Sequence, residues 1–363
     1  MKPWLFGLFV LLGAPVFAQD SVPVIPFESI SNAVKLPANL YLGEAAGVAV
    51  NSKKHAFVFA RGNTNGPAFG AAAAQLFEFG PDGTFIREIG KNLYAFAFAH
   101  AVRVDKDDNI WTVDKGSDMI VKFDPEGRVL MVFGRRQEAS DEAAPHKRTG
   151  PPPKHDNGRF RQPTDVTWDA AGNSYFSDGY VNSRIAKVDK NGNWLKSWGE
   201  RGDKPGEFNT PHTIASDAQG NIYVGDRGNG RIQVFDGDGK FLREIAIKVP
   251  FDRNTARPAI GNMPAEDVKG TQAPGAPWAI CITPGPKQVL YSADAFPGRV
   301  YKLTLDGKVL GVLGESGKQL KQFGWVHEIA CPLENEIYVA EVLNWRVQKL
   351  LLHPGQQTSA TGR

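Results

Sequence analysis

Residues 162–199 read QPTDVTWDAAGNSYFSDGYVNSRIAKVDKNGNWLKSWG, and residues 210–242 repeat the plan as TPHTIASDAQGNIYVGDRGNGRIQVFDGDGKFL. Each copy parses as four short strands. An apolar strand runs to an Asp-Ala-x-Gly-Asn turn, and an aromatic-rich strand then ends in Ser-Asp or Gly-Asp. A Gly/Asn loop leads to Arg-Ile-x-x-Val/Phe, and an Asn-Gly or Asp-Gly turn leads to the last strand. Alternating β-formers punctuated in this way form antiparallel hairpins. A four-stranded unit recurring every ~40 to 50 residues makes the blades of a propeller.

The same parse finds six copies, at residues 47–90, 99–134, 163–199, 211–245, 277–314 and 326–352. The expected fold is therefore an all-β, six-bladed propeller spanning residues 47–352. The last copy holds only three strands, so the Pro-rich N-terminal segment, residues 19–46, is expected to supply a strand that completes it and closes the ring. Two inserts interrupt the repeats. Residues 135–161 are charged and include Pro151, Pro152 and Pro153, and residues 246–276 are Pro/Gly-rich and carry Arg253 and Arg257. Loops of this length in a compact domain serve as covers or move freely. Residues 353–363 read as a disordered tail.

The 363 residues suffice for a large core, and 39 glycines and 25 prolines suit a protein made of turns. A net charge of +3 with no basic stripe argues against nucleic acid as a partner. Residues 1–18 pair Lys2 with an apolar run from Trp4 to Val16 and end at Ala18, the pattern of a secretory signal peptide cut before Gln19. That run is too short to span a bilayer and no other is long enough. The mature protein is thus expected to be periplasmic or extracellular, without stable membrane insertion, and monomeric. Its two cysteines, Cys281 and Cys331, fall in the first strands of neighbouring copies but one residue out of step, and are expected as buried thiols, with a disulfide between them as the alternative.

Aligning the start of each first strand brings six residues to one register: Ala46, His100, Thr164, His212, Trp278 and His327. Three of the chain's 7 histidines occupy alternate copies. First strands line the central channel and alternate blades stand about 120° apart, so the three imidazoles converge on the axis. Such a trio suits a zinc ion whose fourth position stays open. The bland alternative is three polar residues wetted by channel water. His55, His146, His155 and His353 lie off this register and read as surface residues.

First strands start at one rim, and the loops from second to third strands return to it. Those loops hold Arg61, Lys115, Tyr180 and Arg227, while the Asp-x-x-Gly-Asn turns fall on the other rim. Repetition marks other residues as blade-building parts. Asn182 with Arg184, Asn229 with Arg231 and Asn344 with Arg346 recur, as do Asp114, Asp178, Asp226 and Asp294 at the ends of second strands.

On these strings the chain resembles the peptidyl-α-hydroxyglycine α-amidating lyase family, within the wider NHL-repeat propellers. They are FARG at 59–62, GKNL at 90–93, QPTDV at 162–166, SDGYVNSRI at 177–185, PGEF with TPH at 205–212, and DRGNGRIQ at 226–233. The resemblance implies a zinc-dependent carbon–nitrogen lyase that splits a C-terminal α-hydroxyglycine into an amide and glyoxylate. It implies zinc on His100, His212 and His327, Tyr180 as base, and Arg61 and Arg227 as substrate-binding residues. It further implies a channel calcium held by the main-chain oxygens of Val48 and Val102 and by the carboxylate of Glu328, where the family has aspartate. Trp325 stands where the family has methionine, which changes the pocket wall.

The chemistry is coherent on its own terms. Tyr180 needs a pKa below its usual ~10 to take a hydroxyl proton near neutrality, and a nearby cation favours phenolate. Guanidinium forks suit a carboxylate. The family's best-known members act after a copper monooxygenase domain that this sequence does not show, so a small-molecule or peptide carbinolamide other than hydroxyglycine stays open as substrate. A non-catalytic NHL-type propeller binding a protein or glycan is the main alternative. A calcium-dependent hydrolase of the lactonase kind would want carboxylates at the register that holds imidazoles here.

Overall fold

The computed structural model describes residues 22–30, 32–62, 74–136 and 155–353. The leader read at residues 1–18, His146, most of the first insert and the tail beyond His353 lie outside the described residues.

Six four-stranded antiparallel sheets make the body of the molecule, each built from strands consecutive in sequence except the last. The innermost strands are Glu44–Val50, Ala99–Val104, Asp165–Trp168, Pro211–Ser216, Ala279–Ile282 and Val326–Leu333. They touch one another in that order, and the sixth touches the first, so the sheets stand as blades around one axis. In the sixth sheet the outer position is taken by Phe27–Ile30, which pairs antiparallel with Arg346–Leu352. Among the described residues no helix is long and apolar enough to cross a membrane.

Period-two alternation gives every strand two side-chain faces, and in a propeller both faces meet a neighbouring blade. Six apolar clusters fill the six interfaces between adjacent blades. Between the second and third blades, for example, Trp111, Phe133, Phe160 and Phe176 pack ring against ring. Phe176 is fully enclosed there, and burying such a ring contributes about 1.5–3 kcal/mol. This stacking holds the inner strands at fixed angles, and so fixes what they present to the channel.

In the second, third and fourth blades the hairpin turn on the far rim is stapled by its own aspartate. Asp169 accepts the N–H of Asn173, and Asn173 Nδ2 donates back to Asp169 Oδ2 at 2.7 Å; Asp217 and Asn221 repeat this. The glycine before each asparagine, Gly172 and Gly220, sits at a φ above +80° that a side chain would resist.

Cys281 and Cys331 are not free thiols: they form a disulfide. The one-residue mismatch is absorbed by a bulge in Val326–Leu333, whose register slips between Ala330 and Leu333. That bulge sets the two Cα atoms 6.2 Å apart, within disulfide reach.

Candidate metal centre

In four blades the register residue of the innermost strand is the extra residue of a β-bulge. Pairing with the second strand slips across Ala46, His100, His212 and His327. A bulged residue is released from the ladder and its side chain is re-aimed. Here the three histidines turn into the channel, where their ring centroids lie 4.6, 4.7 and 4.8 Å apart. One ring nitrogen from each falls within 4.8 Å of the other two.

Each histidine is oriented by the next blade. His100 Nδ1 donates to the main-chain oxygen of Thr164 at 2.6 Å, His212 Nδ1 to Trp278 O at 2.6 Å, and His327 Nδ1 to Ala46 O at 2.8 Å. Only a protonated nitrogen can bond a carbonyl, so Nδ1 carries the proton and Nε2 presents its lone pair inward. The three carbonyls come from the same register in the alternate blades, so the six residues alternate as imidazole and acceptor around the axis. Burial first, then the charges of Arg61, Arg227 and the neighbouring histidines, hold all three imidazoles well below their ordinary pKa. The site is thus three neutral, buried nitrogen lone pairs facing one another. His212 Nε2 has no hydrogen-bond partner among the described residues. Buried acceptors arranged this way repel unless a cation or a donor lies between them, and a three-imidazole set suits zinc.

The loops that carry the other candidates are tethered to these strands. The main-chain N–H of Lys115 bonds Phe98 O, that of Tyr180 bonds Gln162 O and that of Arg227 bonds Thr210 O. Each acceptor lies two residues before the register residue of its own blade. Gln162, Thr210 and Trp325, at that same position, all have φ near +60°, a cost of order 1–3 kcal/mol each that clusters at working sites. The recurrent carboxylates clamp the same loops. Asp114 accepts the N–H groups of Ala97, Phe98 and Ser117, and Asp226 accepts from Asn209, Asn229 and Arg231. Asp178 does the same for Arg161, Asn182 and Arg184. These aspartates are structural, as their repetition indicates, and a residue one or two places after each one enters the site: Lys115, Tyr180 and Arg227.

Tyr180 Oη lies 3.3 Å from His100 Nε2 and 3.5 Å from Arg227 Nη2. Burial raises the phenol's pKa, but Arg227, Lys115 and Arg61 outweigh it and hold the group below its ordinary value. Arg227 is buried, its guanidinium 4.4 Å from the centre of the Trp278 ring. Arg61 is fixed by Glu44 at 2.6 Å and by Ala99 O at 2.9 Å, and stacks on Phe98. Lys115, read from sequence only as a rim residue, holds its ammonium 4.0 Å from the centre of the Tyr180 ring. Its signal was its position, equivalent to Arg227 two blades on. Trp325 packs tilted against Trp278 with centroids 5.0 Å apart, forming an aromatic wall beside His212. The second insert reaches this mouth, where Thr271 O accepts the Trp278 indole N–H and the turn Gly270–Gln272 packs on Arg227–Asn229.

The residues expected to hold calcium do not fit that ion. Glu328 Oε2 accepts the N–H groups of Val48 at 2.8 Å and Val102 at 3.1 Å, and Glu328 Oε1 lies 2.9 Å from Arg103 Nε. The carboxylate therefore faces two amide donors and a guanidinium, all of which repel a cation. Sequence inspection missed Arg103, which the pattern shows only as one charge three residues after a histidine.

A family model described as NHL repeat matches residues 208–235. Peptidyl-glycine alpha-amidating monooxygenase of Mus musculus is 33% identical over 236 residues, which are 58% of this chain and 22% of that protein. Peptidyl-alpha-hydroxyglycine alpha-amidating lyase 1 of Drosophila melanogaster is 26% identical over 275 residues, 72% of this chain and 46% of that protein. This chain spans under half the length of either relative. A solved streptogramin B lyase shares the fold, with a TM-score of 0.53 at 15% identity over 91% of this chain and 98% of that one. The chain carries an NHL repeat in a six-bladed propeller and is related to the peptidylglycine α-amidating enzymes and the hydroxyglycine lyases.

Proposed function

We propose that this protein is a metal-dependent carbon–nitrogen lyase acting on a peptide or small molecule that ends in an α-hydroxyglycine or a related carbinolamide. The observation that carries this is the set of three inward Nε2 lone pairs on His100, His212 and His327, with Tyr180 Oη at 3.3 Å from one of them. The relationship to hydroxyglycine lyases supports it.

Zinc on these histidines would act as a Lewis acid toward the substrate's oxygen atoms. The protein's own groups do the rest. Arg61 and Arg227 hold the substrate carboxylate, and Trp278 with Trp325 covers its flank. Tyr180, whose phenol the surrounding cations hold below its ordinary pKa, takes the hydroxyl proton. The oxygen's electron pair forms the aldehyde C=O as the C–N bond breaks, and Tyr180 returns the proton to the departing amide nitrogen. Atoms balance as hydroxyglycine giving amide plus glyoxylate, with no oxidant.

An exported location belongs to the same proposal. The leader pattern at residues 1–18 supports it, and so does the Cys281–Cys331 bond, since oxidising compartments preserve disulfides. The test is glyoxylate release from an N-acyl-α-hydroxyglycine by zinc-loaded protein. Release that disappears on chelation and returns with zinc supports the lyase; no release from any such carbinolamide overturns it.

A further inference from the structure

Directly beneath the three histidines the channel is crossed by one side chain. Arg103 leaves the inner strand of the second blade and reaches the inner strands of four others. Its Nε and Nη2 bond the two oxygens of Asp165 at 2.9 and 2.6 Å, a bidentate pair with the third blade. Nη2 also lies 3.5 Å from Thr213 Oγ1 in the fourth blade and 3.3 Å from Ile280 O in the fifth. Nη1 donates to Ile329 O in the sixth blade at 3.0 Å, and Glu328 Oε1 of that blade lies 2.9 Å from Nε. Asp165 and Glu328 are each 2% exposed.

This is the ligand environment of a hard cation: two carboxylates and two main-chain carbonyls directed at one point in a low-dielectric channel. The point is occupied by a guanidinium. The remaining carboxylate oxygen, Glu328 Oε2, is committed to the amides of Val48 and Val102 in the first and second blades. Asp165 Oδ2 is likewise committed to Thr213 Oγ1 at 2.9 Å and to the N–H of Ile214 at 3.0 Å. Every blade thus contributes a contact to one layer centred on Arg103.

We propose that Arg103 is the resident cation of this second channel layer, so that the folded protein takes one metal ion, at the histidines, and needs none below them. A guanidinium does this job permanently. It cannot be chelated, it keeps its charge at any physiological pH, and its fork matches Asp165 as a spherical ion would not. Deleting it would leave two buried carboxylates facing each other without a counter-charge, which is strongly destabilising. The site so vacated would then have the donor set and charge to accept calcium. None of this depends on the lyase assignment.

The experiment has two arms. Wild-type protein is equilibrated with zinc and calcium together, passed through gel filtration and assayed for both metals, and its thermal unfolding is followed across a calcium titration with magnesium as control. The expected result is one zinc and no calcium per chain, with a Tm that calcium does not move. Stoichiometric calcium, or a saturable calcium-dependent rise in Tm, would overturn the proposal whatever the zinc content. Arg103→Ala is then expected to unfold at lower temperature and to regain several degrees on calcium addition, because a ligand bound only by the folded state raises Tm. A folded Arg103→Ala protein with wild-type Tm and no calcium response would also overturn it. Should the variant not fold, the wild-type arm decides alone. Loss of zinc binding with no calcium bound would count against the histidine site and leave Arg103 in its role.

Discussion

His327 donates its Nδ1–H to the main-chain oxygen of Ala46 at 2.8 Å, across 281 residues of sequence. The bond ties the last blade to the first and sets the tautomer of the imidazole. His100 and His212 are tied to their next blades in the same way, so assembling the ring also assembles the site. The histidine cluster needs no loop of its own; it is the inner surface of the fold.

Tyr180→Phe removes the oxygen that faces His100 Nε2 and Arg227 Nη2 while keeping the ring beneath Lys115. Glyoxylate release is expected to fall about 10²–10⁴-fold, the usual contribution of a positioned base, with zinc content unchanged. Turnover near the wild-type rate would remove Tyr180 from that role.

Arg227→Ala is expected to weaken carboxylate binding, since the guanidinium sits buried on Trp278 and beside Tyr180. The specificity constant should drop about 10–100-fold, the worth of a charge-assisted bond of 1.5–3 kcal/mol. A substrate analogue with its carboxylate esterified should lose far less on the same substitution. Equal losses for both substrates would mean that Arg227 does not hold the carboxylate.

The blade architecture was legible from residues 162–242, because hairpin turns announce themselves and because the copies confirm one another. The histidine trio was legible for the same reason: a shared register converts positions 100, 212 and 327 into neighbours. What escaped was set by contacts between copies. Arg103 meets Asp165, Ile280 and Glu328 over separations that no local pattern encodes, and its charge at a strand position looked ordinary. The carbonyls of Val48 and Val102 were assigned to calcium by analogy, whereas Glu328 in fact bonds the amides of those residues. The disulfide escaped because a bulge near Cys331 shifts the register by the one residue that made pairing look unfavourable.

Reducing the Cys281–Cys331 bond, or replacing both cysteines by serine, is expected to lower stability by about 4 kcal/mol from loop entropy, given a separation of 50 residues. Denaturant unfolding with and without reductant measures this. No change in midpoint would show that the bond does not contribute to stability.

Asp294 supplies the pH dependence. Burial pushes its carboxyl up to about 6 from 3.8, even against the Tyr301 hydroxyl and the N–H groups of Arg299 and Gly275 that favour its ionised form. Ionisation is harder in the folded protein, so the associated stability is present below 3.8 and is lost as pH rises to about 6. Comparing wild type with Asp294→Asn isolates this contribution. The stability difference should shift against wild type by about 3 kcal/mol between pH ~3.5 and ~7. A difference that stays flat over that range would place the Asp294 carboxyl at an ordinary pKa.

The most direct measurement is the metal content of wild-type protein beside that of the His100→Ala, His212→Ala and His327→Ala variants, each checked for folding by circular dichroism. One zinc per wild-type chain, lost in every folded variant together with glyoxylate release, is the predicted result. Zinc retained by a folded variant, or full activity in metal-free wild type, would contradict the account.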